Sequence, residues 1–239
     1  MAEFVGVTAP LYSKFMRSGK NILIAGTTGS GKSTLLDGII NSILYEDAAE
    51  HQLVLIDLKR VTLGKYRNTA HCIGFAKKDS DVELLLRGLR RVIDERLEDM
   101  DYRGIELWDG ATIHLVIDEL AELMLNDKET ANILQSICQI GRATGVQVIV
   151  ATQCPLATII PTRIKVNFPI IVGLHTASAR QSRNILEVGG CEGLRMPDAK
   201  KNLSGEALVM YPAKGIERVT IPKIPEDYLK KIIELNQKE

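Results

Sequence analysis

The stretch that most limits how this chain can fold is residues 21–39, NILIAGTTGSGKSTLLDGI, an apolar run that stops at a cluster of glycines and resumes at helical spacing. A strand must therefore turn into a helix through Gly26, Gly29 and Gly31, which tolerate backbone angles and close approaches that a side chain forbids. The spacing Gly26-x-x-x-x-Gly31-Lys32-Ser33 is that of a phosphate-binding loop, in which successive N–H groups converge on a polyphosphate at a helix N-terminus. Gly26, Thr27, Thr28, Gly29, Ser30, Gly31, Lys32, Ser33 and Thr34 are the candidate binding residues. In this reading Lys32 reaches the β and γ phosphates, and the Ser33 hydroxyl helps hold Mg²⁺. A chance lysine in a glycine-rich turn is the bland alternative, but it does not require the strand before and helix after that are both present here.

With 239 residues, 45% of them hydrophobic, the chain can bury a full α/β core in one domain or two. We expect a main domain over residues 1–222 and a helical tail over 223–239. Lysine plus arginine and aspartate plus glutamate both number 30, so net charge excludes nothing and only its distribution informs. No apolar run has bilayer-spanning length and the N-terminus lacks a secretory pattern, which leads us to expect a cytoplasmic chain. Cys72, Cys138, Cys154 and Cys191 lack ligand spacing and read as reduced, structural residues.

Further along, LVLID (53–57), IHLVIDEL (113–120), VQVIVATQ (146–153), FPIIVGL (168–174) and EALVMY (206–211) read as strands. Helices are expected after the phosphate loop, over roughly 129–143 and after Pro222. Ser80-x-x-Glu83 reads as a capping box opening another helix, whose apolar stripe runs from Val82 to Met100. Alternating strands and helices predict an α/β fold with a mainly parallel sheet covered on both faces. Residues 189–205 read as a surface loop.

Hydrolysis of a bound nucleotide needs a metal-directing acid and a group that activates water. Asp118, ending a buried strand, is the candidate for holding Mg²⁺, and Glu119 the candidate base. Gln153 ends another strand on the same rim, either as a γ-phosphate sensor or as a polar strand end without a role. Arg142, near a helix C-terminus, either complements the helix dipole or acts as an arginine finger on a neighbouring subunit's nucleotide. From Gly141 to Leu186 there is no Asp or Glu, whereas Arg142, Arg163, Lys165, Arg180 and Arg183 all occur. Such a basic segment suits a nucleic-acid backbone, with Arg163 and Lys165 as contact candidates. Arg180 and Arg183 are candidates for a subunit interface or for nucleotide sensing.

LIAGTTGSGKS, VLIDLK, LVIDELAELM, RATGVQVIVATQ, IKVNFP and SRNILEVGGCE, in this order over residues 20–210, resemble the motor domain of the FtsK/SpoIIIE family of DNA translocases, within the wider HerA/FtsK group of ring ATPases. The resemblance implies a RecA-like P-loop ATPase fold, ATP and Mg²⁺ as cofactors, a homo-oligomeric and hexameric ring, and double-stranded DNA as partner. It assigns the phosphate-loop roles to Lys32 and Ser33, the acidic pair to Asp118 and Glu119, the strand-end glutamine to Gln153, and the arginine ahead of that strand to Arg142.

Cys154 in ATQCP and an aliphatic residue in PIIVGL replace arginines usual in the family, and the MPDAKKNLS loop is longer than usual. These departures point to a divergent, mobile-element or conjugation-type branch, whose parent protein can be membrane-tethered through segments outside this chain. A type VII protein-secretion ATPase and a weakly hydrolysing assembly module are the alternatives. A GTPase is disfavoured because AKKD (76–79) lacks the asparagine of the guanine-reading motif.

Overall fold

The computed structural model describes residues 10–153 and 162–238. Its eight strands are β1 (Ile22–Ala25), β2 (His51–Ile56), β3 (Cys72–Ala76), β4 (Thr112–Ile117), β5 (Val146–Thr152), β6 (Ile170–Gly173), β7 (Glu206–Tyr211) and β8 (Gly215–Thr220). They form one sheet in the order β3-β2-β4-β5-β1-β6-β7-β8. From β3 to β6 every pairing is parallel, and β7 and β8 then add an antiparallel hairpin at one edge. All parallel strands therefore end on one rim, which is where ligands bind in sheets of this type.

Helices cover both faces: α1 (Pro10–Arg17), α2 (Lys32–Leu44), α3 (Asp79–Arg103), α4 (Leu120–Asn126), α5 (Lys128–Ile140), α6 (Thr162–Lys165), α7 (Ala179–Leu186) and α8 (Glu226–Leu235). The two-residue period of β1 divides its side chains between two cores. Leu23 and Ala25 join Val82, Leu86, Leu134 and Ile185 from α3, α5 and α7, while Ile22 and Ile24 join Phe15, Leu36, Ile40 and Ile232 from α1, α2 and α8. Gly38 of α2 lies directly under the Tyr12 ring, where an added Cβ would come within 2.3 Å of Tyr12 Cζ.

The expected strands at 53–57, 113–120, 146–153, 168–174 and 206–211 are present, and the capping box is not. Helix α3 starts at Asp79, its N-cap is Lys78 with no side-chain cap, and the Ser80 hydroxyl bonds Asp81 instead. Because β3 ends at Ala76, the chain enters the helix before Ser80 and places that residue inside the first turn. There Asp79 and Asp81 complement the helix dipole. Strands β3 and β8 and helices α1, α4 and α7 are further elements that the sequence pattern did not indicate. The segment 189–205 is loop apart from a 3₁₀ turn at Cys191–Gly193, which buries Cys191. Position 154 lies outside the described residues.

Candidate nucleotide site

The phosphate loop is strapped between two strand ends. Gly26 N–H donates to Thr152 O (3.3 Å), and Thr27 donates to His175 O through its N–H (2.9 Å) and its hydroxyl (3.0 Å). At Gly26 a Cβ would fall 2.7 Å from both Leu174 Cβ and Ser30 Oγ, so the bend closes only around glycine. Gly31, the N-cap of α2, sits at φ 103°, in the left-handed region that disfavours a side chain. The Ser30 hydroxyl is buried with no hydrogen-bond partner among the described residues. An amide-lined bend, an orphaned hydroxyl and a helix N-terminus together make a cradle suited to phosphate.

Beside this bend is a cavity of about 390 Å³, bordered by Thr28, Gly29, Gly31, Lys32, Ser33, Thr34, Lys59, Thr62, Asp118 and Gln153. Lys32 folds back so that its Nζ donates to Gly26 O and Thr27 O, each at 2.7 Å. Burial pushes its ammonium down to about 8; Glu119 and Asp118 oppose that shift, and a second ammonium, on Lys59, adds to it. Asp118 follows β4 and is 8% exposed. Its carboxyl is raised by burial first and by Asp57 and Glu119, with a Thr62 hydrogen bond and Lys59 acting in the other direction. Hydroxyl and carboxylate oxygens on opposite sides of one cavity form a hard donor set of the kind that suits Mg²⁺.

Glu119, 5% exposed, is held from three sides. Oε1 accepts from Thr152 Oγ1 (2.8 Å), Oε2 accepts from Lys59 Nζ (2.7 Å), and the Gln153 N–H is shared between Oε1 (3.2 Å) and Oε2 (3.3 Å). Gln153 also touches the phosphate loop, since its Oε1 accepts from Thr28 Oγ1 at 3.0 Å. The loop residues 26–34, Asp118, Glu119 and Gln153 are thus brought together. A larger cavity of about 550 Å³ lies between α2 and α8, but its Lys65 and Asp37 already pair with one another at 2.8 Å. The smaller one combines the phosphate-loop residues with Lys59, Asp118 and Gln153.

Arg142 is exposed in the loop before β5, on the rim where the parallel strands begin. It is roughly 20 Å from the phosphate loop by strand length alone. The same rim carries α6, where Arg163 is exposed and Lys165 Nζ donates at 3.4 Å to Asn184 O and to Glu187. Arg180 and Arg183 are exposed on α7, which follows the far end of β6. The cationic candidates thus spread over the molecule and do not converge on the cavity. Two site residues escaped the sequence reading. Lys59 was visible only as the last residue of the VLIDLK phrase. Asp57 is a buried carboxylate that accepts from the N–H groups of Val61 (3.3 Å), Leu63 (2.9 Å) and Gly64 (3.2 Å), and so shapes the turn that carries Lys59.

The FtsK/SpoIIIE family pattern matches residues 3–106. The DNA translocase FtsK of Staphylococcus epidermidis is 35% identical over 199 residues, covering 73% of this chain and 25% of that protein. Its Helicobacter pylori counterpart is 32% identical over 233 residues, covering 90% of this chain and 26% of that protein. Among solved structures, the pCW3 conjugation coupling protein TcpA, a monomer with ATPγS, superposes with a TM-score of 0.75 at 26% identity, over 92% of this chain and 65% of that one. The cytoplasmic domain of the Thermomonospora curvata type VII secretion ATPase EccC gives 0.76 at 20% identity, over 92% of this chain and 28% of that one, a likeness of fold. This chain spans about a quarter of the length of the curated relatives it matches. Agreement with those relatives over most of its residues, on a fold that folds the phosphate loop in the way their motif requires, makes this chain a member of the FtsK/SpoIIIE family of P-loop ATPases.

Proposed function

We propose that this chain is an ATP-hydrolysing motor domain that moves double-stranded DNA as a ring of copies, hexameric as in the family resemblance, in the cytoplasm. The observation that carries the reading is that the phosphate-loop lysine and Asp118 line one cavity, with Glu119 next to them, paired with Lys59 and near enough to act on the Lys32 ammonium. The loop amides and Lys32 bind the phosphates of ATP. Ser33 and Asp118 would hold Mg²⁺, which when bound neutralises phosphate charge; among the described residues no cluster of three or more His, Cys, Asp or Glu is present to bind a metal without the nucleotide.

Glu119 takes a proton from water as the water oxygen bonds to the γ-phosphorus and the bond from that phosphorus to the bridging oxygen breaks, releasing ADP and phosphate. Thr152 and the Gln153 N–H fix the carboxylate's orientation for this step. The Gln153 side chain, bonded to Thr28, is suited to report γ-phosphate occupancy. Arg142 serves a neighbouring subunit's nucleotide, being too distant from its own. Arg163 and Lys165 are proposed to meet the DNA backbone, and Arg180 and Arg183 a subunit contact.

Duplex DNA is favoured over a protein cargo because the relatives at 32–35% identity are DNA translocases, whereas the secretion ATPase is alike in fold alone. Likeness to a conjugation coupling protein at 26% identity supports a mobile-element branch. ATP turnover measured with and without duplex DNA over a salt series tests the reading. Stimulation that fades with salt is expected. Turnover indifferent to DNA would favour protein transport, and absent turnover an assembly module.

A further inference from the structure

Two ammonium groups border the cavity, and Lys32 accounts for only one. The other, Lys59, is carried by a turn whose backbone is locked. The Asp57 carboxylate gathers three N–H groups of that turn, and Arg60 adopts φ 58°, a left-handed conformation unusual for a side-chain-bearing residue. The lysine side chain itself is a flexible four-carbon arm, and at 32% side-chain exposure it is far freer than the 5% exposed carboxylate it grips. A rigid base with a mobile arm suits a group that exchanges partners.

What the arm grips matters. The side of Oε2 that water would have to approach is occupied by the Lys59 ammonium at 2.7 Å. Removing Lys59 from Oε2 would not loosen Glu119, since Thr152 still holds Oε1 and the Gln153 N–H still bridges both oxygens. It would leave Oε2 with only the shared Gln153 N–H, beside a cavity that Lys59 and Gln153 both line. Leaving a partly buried ion pair is costly unless another anion receives the cation. The γ-phosphate of ATP supplies such an anion, and ADP does not.

Resting on the ATP reading of this cavity, we infer that Lys59 is a latch on Glu119 that the γ-phosphate releases: the ammonium transfers from Oε2 to the terminal phosphate, and the freed oxygen becomes available to water. Lys59 is therefore a positioning residue that discriminates triphosphate from diphosphate. It also keeps the base covered while no γ-phosphate is present.

Calorimetric titration with ATPγS and with ADP tests this on the full chain. Lys59→Met weakens ATPγS binding about tenfold or more and leaves ADP within about twofold, and Lys59→Arg restores most of the loss. Glu119→Gln, which removes the competing anion, tightens ATPγS several-fold without changing ADP, and adding Lys59→Met abolishes that gain. Equal weakening of both nucleotides by Lys59→Met, or no effect on either, overturns the latch while leaving the ATP site standing. Failure of the unaltered chain to bind either nucleotide removes the ATP reading itself, and the latch with it.

Discussion

The two rims of the sheet use polar residues in opposite ways. Where the parallel strands end, Lys32, Lys59 and Asp118 line one cavity with Glu119 paired to Lys59 beside it, and Ser30 buries a hydroxyl without a partner among the described residues. Where the strands begin, exposed arginines and the buried Arg96, which donates to Thr144 O at 2.7 Å, surround a buried network that is neutral and bonded within itself. Asn21 donates to Cys138 O and Asn167 O, both at 2.9 Å, and its Oδ1 accepts from Val148 N–H at 2.9 Å. His114 bonds Gln147 (2.8 Å) and His51 (3.0 Å), and Gln147 reaches Phe15 O and Lys20 O. Both rims bury polar atoms, but the first also brings opposite charges together beside a cavity. A polar strand end is thus a sign of chemistry when its groups are charged and open to a cavity, and of architecture when they satisfy each other.

Substitutions on the two rims should therefore fail in different ways. Glu119→Gln is expected to retain ATP binding and to lower turnover on the order of 10³-fold, within the range general-base removal produces. Steady-state turnover beside direct nucleotide binding checks it, and near-normal turnover would remove Glu119 from the mechanism. Lys32→Ala should weaken ATP binding about tenfold or more with little change in unfolding midpoint, because it deletes a cation whose burial is itself unfavourable. On the opposite rim, Asn21→Ala strands three backbone partners and should cost about 2–3 kcal/mol of stability in urea unfolding, while turnover per folded molecule stays near that of the unaltered chain. A large loss of turnover there would erase the distinction between the rims.

The smallest effect concerns pH. Burial holds His114 down to about 3, with His51 and His71 nearby adding to the shift and the Gln147 hydrogen bond opposing it. The unfolded chain, with an ordinary imidazole near 6.5, then binds more protons than the folded one between these values. Stability from this group is complete above about pH 6.5 and is lost as pH falls toward 3. From pH 7 to 5.5 the unaltered chain should lose about 1 kcal/mol more than His114→Asn. Equal losses in the two proteins would mean that the imidazole is not kept neutral.

Legibility in the sequence followed how local each feature is. The phosphate loop was readable because its donors are contiguous and its conformational demands fall on Gly26 and Gly31, and DE at 118–119 because it closes an apolar run. Lys59 was missed as a site residue because its partner lies 60 positions away in sequence and only the adjacency of β2 and β4 joins them. Strand β3 was hidden by its five-residue length and its glycine, and β8 by Glu217 and Arg218 on an exposed edge. The capping box failed because a three-residue spacing does not reveal where the preceding strand releases the chain.

Arg142 and the phosphate loop lie at opposite ends of the same strands, and the proposal that Arg142 serves a neighbouring copy then restricts how copies can assemble. A two-fold pair places like surface on like surface, so it cannot present one copy's arginine to the other's loop in both directions at once unless the interface spans the full height of the sheet. A head-to-tail contact presents it once per junction and leaves an unfilled arginine at one end of the row and an unserved loop at the other, until the row closes on itself. Under that reading, completion of every site depends on closure, and an open row always keeps one terminal loop without an arginine.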